Sequence, residues 1–268
     1  MTRYVIRRLL LLLLTILLTS FVIFALTELL PGDVARLVLG RDASPTAIAN
    51  FNEEFGLDDP ALQRYLNWLG GFVTADWGLS YTAGRPPVRP LVMERLGNSL
   101  RLAFATLLLT IPLGVLLGVI AALREGSWVD SSISFVSLSI VGLPEFIAGI
   151  ILINVFALGL GWFNAASLVT KGMGLGGWIR TLTLPAVTAS FVLVGYIIRM
   201  TRAGMLEELR KPYVRTAQLK GLQPRVVIVR HVLRNALMPT ITVIAISIGW
   251  LMGGLVVIEN VFNFPGMG

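Results

Sequence analysis

The sequence predicts an all-α, polytopic transmembrane helix bundle of five spans. Three observations predict it. Hydrophobic residues fill 55% of the 268 positions and charged residues only 14%. The mean hydropathy is +0.79. The charges crowd into short stretches between long apolar ones, whereas a soluble domain of this size needs a charged exterior, at roughly 25% of its residues. With no cysteine and one histidine, His231, disulfides and thiol chemistry are excluded, as is a multi-histidine zinc site built from this chain alone. The net charge of +7 sits mostly in one segment between apolar runs. That placement suits a charged partner or an anionic lipid surface better than nucleic acid.

The first element follows Arg3, Arg7 and Arg8 and runs over 9–30, apolar except for Glu28. It is too long for the core of a signal peptide, about 7–15 residues. At 1.5 Å per residue it reaches about 33 Å, enough to cross a bilayer core, so it reads as a retained first span. Residues 31–98 are polar and mixed in charge, with six arginines and eight acids. Tyr65, Trp68, Trp77 and Tyr81 make this a folded segment against the membrane surface rather than a linker. Within it, 59–69 reads as a short helix with Asp59 as cap and Pro60 in the first turn. Positions 62, 65, 66 and 69 form its apolar face.

Four further spans are predicted at 100–123, 131–162, about 182–198 and about 237–258, each flanked by charge or by Gly/Pro. Lys and Arg set the orientation. The N-terminus carries three arginines and 199–234 carries nine basic residues, while 161–181 carries only Lys171 and Arg180. Five spans put both basic regions on the cytoplasmic side, 31–98 outside, and the C-terminal residues outside. The expected division is 1–30 (N-terminus and first span), 31–98 (extracytoplasmic) and 99–268 (the transmembrane core). Gly114 and Gly118, and Gly249 with Gly253 and Gly254, have the small-residue spacing that lets helices approach closely. Ordinary packing accounts for them, and the alternative is a sliding seam against a partner subunit.

The segment 199–239 reads as a helix, a turn and a second helix. Pro212 fits a helix start, Gly221 fits the left-handed position that ends one, and Pro224 opens the next, expected to run to Pro239. The result is a short rigid knob on which Thr216, Ala217 and Gly221 leave room for another backbone. His231 reads as a structural residue of the second helix. Basic residues on their own more often mark a positive-inside flank than a docking site.

The run Tyr213-Val214-Arg215-Thr216-Ala217 with Gly221-Leu222, followed by His231, Arg234-Asn235-Ala236 and Pro239, resembles the coupling loop of binding-protein-dependent ABC transporter permeases. The variant is that of the dipeptide/oligopeptide/nickel subfamily. The general family opens this loop with Glu-Ala-Ala, and here Arg215-Thr216-Ala217 stands instead, with Gly221 at the matching distance. Residues 29–33, 55–58, 77–80 and 259–266 are similar to the same subfamily, so the resemblance covers essentially the whole chain. Such permeases continue past 259–266 into a sixth span, so the sequence is expected to stop short of one.

The resemblance implies a non-enzymatic permease of an ATP-driven importer in a bacterial or archaeal cytoplasmic (inner) membrane. Its implied partners are two ATP-binding cassette ATPase subunits, a second homologous permease and an extracytoplasmic solute-binding protein. Tyr213, Arg215, Thr216, Ala217, Lys220 and Gly221 would couple it to the ATPase. ATP and Mg would lie on that partner, and no phosphate-binding Gly-x-x-x-x-Gly-Lys-[Ser/Thr] run occurs in this chain. Dipeptides or oligopeptides are the expected solutes, with nickel complexes, glutathione or another small solute as alternatives.

Glu145 follows Pro144 in the middle of the third predicted span, where a charge is costly unless it faces protein or water. It is a candidate for the translocation path, against a packing acid at a turn loosened by proline. An ion-coupled transporter would want paired intramembrane acids or unwound helices in repeated halves, and only Glu145 is central. A membrane-embedded enzyme would want a nucleophile–base pair or metal cluster within the spans.

Overall fold

The computed structural model describes residues 2–29, 34–40, 42–82, 84–170 and 172–268, and among these every regular element is a helix. Residues 30–33, part of one sequence motif, and Lys171 lie outside the described residues. The chain forms two compact units, Met1–Met93 and Glu94–Gly268.

In the first unit, α1 (Thr2–Leu29) is followed by α2 (Val34–Leu39), α3 (Pro45–Phe55) and α4 (Ala61–Thr74). No residue of α1 is buried within the chain, so its leucines form a continuous apolar surface of the kind that meets lipid or another helix. The one acid in that apolar run, Glu28, is explained by its ion pair with Arg64 of α4. Tyr65 anchors α4 on α1: its ring packs on Phe21 and Phe24, and its hydroxyl shares a 2.9 Å hydrogen bond with Ser20.

The 59–69 expectation needs two corrections. Pro60, not Asp59, is the residue at the helix entry, and no side chain caps it. The apolar face is not buried as a unit either. Tyr65 is buried, but Leu62 and Leu66 are exposed. Ser44 does cap α3, accepting from the Ala47 amide.

The second unit begins within α5 (Val88–Leu123) and continues with α6 (Trp128–Val141), α7 (Glu145–Leu152) with its π-helical extension Ile153–Gly159, and α8 (Leu175–Leu209). After α8 come α9 (Pro212–Leu219) and α10 (Pro224–Val261). Four helices, α1, α5, α8 and α10, are long and apolar enough to cross a membrane. The third predicted span is not one helix: α6 and α7 meet at 103°. The sequence Gly142-Leu143-Pro144 causes this, because proline drives its predecessor out of the helical region and gives no amide to the preceding turn. The count of five holds only if this bent pair is taken as one span.

Pro239 corrects a second expectation. It does not end the helix after Pro224 but lies inside α10. Residues Val227–Val232 of that helix are π-helical. The i→i+5 spacing stacks Val227 above Val232, and both are fully buried on the same inner cluster.

The unit has two apolar cores. One joins α5, α8 and α10 with Phe262 and Phe264. The other, at the Arg-rich end, holds Ala122, Met205, Val214, Val227, Val232 and Ala236. Gly114 and Gly118 of α5 pack on α8 so closely that a Cβ at Gly118 would lie 2.6 Å from Thr201 Cβ and 2.8 Å from the Ile198 carbonyl oxygen. Residues 262–268 fold back on α5. Glu259, 2% exposed, accepts from Ser99 Oγ at 2.5 Å and from the Gly268 amide at 2.7 Å. Asn98 donates to the Pro265 carbonyl at 2.9 Å.

Candidate functional site

The knob expected from the sequence is α9. Proline at its first turn lacks an amide that would have gone unpaired there, and its φ is preset for a helix. The other end closes in a full Schellman motif. Gly221 stands at φ +77°, its amide donates to the Gln218 carbonyl at 2.9 Å, and the Leu222 amide donates to Ala217 at 3.3 Å. Nothing lies within 4 Å of where a Gly221 Cβ would be, so glycine is needed here for backbone conformation and not for space.

Two faces of α9 do different things. Val214 is buried and Tyr213 and Ala217 are half-buried against the cluster shared with α8 and α10. Arg215, Thr216, Lys220 and Gly221 are exposed. The six residues singled out in the sequence are therefore brought together as one short helix with its cap, but Tyr213 and Ala217 hold the helix down while the other four form its outer surface. His231 lies in the π-helical turn of the second helix, as expected, with its side chain exposed.

The anchor of α9 was not foreseen. Glu208, in the last turn of α8 and only 8% exposed, accepts from Lys211 Nζ at 2.5 Å and from the Tyr213 hydroxyl at 2.7 Å. The Lys211 ammonium, then the Tyr213 hydroxyl, hold the Glu208 carboxyl below its ordinary range. Burial, and then Glu208 itself, push the Tyr213 hydroxyl up. By spacing, Glu207 and Lys211 form the expected i,i+4 pair, yet they stand 3.7 Å apart while Glu208 takes the short contact. The available signal was an acid in the last turn of a helix, where the negative end of the dipole disfavours it unless a cation is near.

Two ion pairs fix the same end of the bundle. Arg202 binds Asp130, and Arg210 binds Glu125 at 2.7 Å. Thr201 and Thr240 share a buried 3.2 Å hydrogen bond between α8 and α10.

Glu145 is not part of this site. It is the first residue of α7, half-buried at the 103° break, and its Oε2 would lie 3.8 Å from a Cβ at Gly254 of α10. Along α10, Gly254 is about 27 Å from Ala236, where the knob's cluster ends. Among the described residues no group of three or more His, Asp or Glu side chains could hold a metal ion.

Comparison with known proteins supplies the context for this arrangement. Residues 114–268 match the family described as binding-protein-dependent transport system inner membrane component. Residues 1–102 match the model for the N-terminal part of such membrane components. The "Probable peptide ABC transporter permease protein" of Sinorhizobium fredii is 36% identical over 265 residues, covering 99% of this chain and 84% of that protein. The oligopeptide transport system permease protein AppB of Bacillus subtilis is 36% identical over 270 residues, 100% of this chain and 85% of its own. The glutathione transport system permease protein GsiC of Escherichia coli K12 is 34% identical over 268 residues, with the same two coverages.

Proposed function

This chain belongs to the family of binding-protein-dependent transport system inner membrane components, and on that premise we propose that it forms half of the transmembrane path of an importer of dipeptides or oligopeptides. As a member it is a multi-pass membrane permease of an ABC importer, not itself an enzyme, and it works with an ATPase and a solute-binding protein.

The finer assignments are ours. The proposed assembly has two ATPase subunits, which carry ATP and Mg, and a second homologous permease, all at a bacterial or archaeal cytoplasmic membrane. The observation that carries the coupling role is the two-faced helix α9. Its outer face of Arg215, Thr216, Lys220 and Gly221 seats in a groove on the ATPase, and its inner face grips α8 and α10. Closure of the ATPases around ATP then moves both helices together and switches the path between two states. Peptide solutes are supported by the names of the Sinorhizobium and Bacillus relatives, while glutathione, in the name of a third, is itself a peptide. In this reading Glu145, at the break between α6 and α7, lines the translocation path, where a carboxylate can stay hydrated.

The test is co-purification. The chain, expressed with its neighbouring ATPase and binding-protein genes, should bring the ATPase down, and the loaded binding protein should stimulate ATP hydrolysis. A Gly221→Val chain that still supports normal stimulated hydrolysis would remove α9 as the coupling element.

A further inference from the structure

Glu208 has no part in the outer face of α9, because its side chain is turned inward. A carboxylate so buried is costly unless it is paired and hydrogen-bonded, and at the carbonyl end of α8 the helix dipole opposes it further. Its partners join two elements: Glu208 lies in the last turn of α8, and Lys211 and Tyr213 lie at the start of α9.

Only Arg210 and Lys211 separate α8 from α9, and no side chain caps the start of α9. An eight-residue helix does not hold its own shape or direction in isolation. The inner face, Val214 and Ala217 on Met205, Val227 and Val232, keeps α9 seated, but apolar contact is non-directional and leaves it free to turn or slide. The short side-chain contacts at its N-terminal end both run to the Glu208 carboxylate.

We propose that Glu208 is the positioning residue of the coupling helix: it locks the orientation of α9 on α8, so that force on Arg215, Thr216 and Lys220 moves α8 instead of turning α9 on its apolar seat. This rests on the importer reading above. Without the lock the ATPase still docks, because the outer face is intact, but part of its motion is spent turning α9.

The experiment is ATP hydrolysed per solute imported, measured on the complete transporter in proteoliposomes. Glu208→Gln keeps the shape and removes the charge, and it should co-purify with the ATPase at wild-type yield. Its ATP-to-solute ratio should rise about tenfold, the scale of one lost charge-assisted hydrogen bond. Tyr213→Phe, a mild change that keeps the test open should Glu208→Gln fail to fold, should raise the ratio by about threefold. The double variant should be no worse than Glu208→Gln alone, since the hydroxyl acts through the carboxylate. An unchanged ratio in both single variants, beside ATP-driven uptake by the wild type, overturns the lock alone. Independent, multiplying effects of the two substitutions, or loss of the ATPase from the complex, also overturn it. Wild-type uptake that needs no ATP overturns the importer reading and the lock with it.

Discussion

Arg202 of α8 grips Asp130 of α6 through two parallel hydrogen bonds, 2.6 Å from Nε and 2.7 Å from Nη2. Asp130 is 4% exposed and also accepts from the Gly126 amide at 3.1 Å. The pair ties the first half of the bent span to the helix that carries the knob. Arg202→Met leaves a buried carboxylate without its cation and should destabilise the protein by about 2–4 kcal/mol. Replacing both partners, Asp130→Leu with Arg202→Met, should recover most of that loss, because no charge is then stranded. Unfolding of the micellar protein by SDS measures both.

The glycines of α5 and α10 have opposite surroundings, and so opposite sensitivities are expected. Gly118→Ala puts a methyl against Thr201 and the Ile198 carbonyl and should cost about 1–3 kcal/mol of stability. Gly249 and Gly253 have nothing within 4 Å of a Cβ, so alanine at either should not destabilise the single chain and should stabilise its helix by about 0.4–1 kcal/mol. Gly249→Leu should leave the single chain folded and reduce association with a second permease, read by cross-linking in membranes. Unimpaired association would place these glycines outside the permease interface.

At Gly221 the constraint is backbone conformation. With φ at +77° and open space around the missing side chain, asparagine should be tolerated far better than valine, since a β-branched residue is strained there. Gly221→Asn should retain most stimulated ATP hydrolysis, and Gly221→Val should lose about tenfold as the Schellman closure opens. Equal activity in the two variants would show that the closure does not matter for coupling.

Glu145→Gln should alter uptake kinetics while leaving the complex assembled, because Glu145 contributes to none of the anchors of α9. A change confined to KM would mark it as a solute contact, and unchanged kinetics would take it off the path.

Much of the architecture was legible because apolar length and glycine conformation are local properties. The four continuous spans follow from long runs in which charge is scarce, and the ends of α9 follow from Pro212 and Gly221, each with a backbone constraint that only a few residues meet. What was illegible depends on tertiary partners. Glu208 and Glu207 are equivalent in sequence, and only the turn into α9 decides which one Lys211 reaches. Asp130 and Arg202 are 72 positions apart, and no spacing rule pairs them. Pro144 and Pro239 show the limit from the other direction. Both sit in apolar runs, yet the first turns the chain through 103° and the second lies within a continuous helix. Pro144 follows Gly142 and a turn, whereas Pro239 has Ala236 and Thr240 buried on either side to hold the helix in place.

The most direct test of the permease account is uptake of a labelled dipeptide or oligopeptide into proteoliposomes that hold the complete complex and its binding protein. The account predicts that uptake requires ATP on the side of the ATPase and falls about tenfold with Gly221→Val while the complex remains assembled. Uptake that persists without ATP and follows an imposed ion gradient would contradict it.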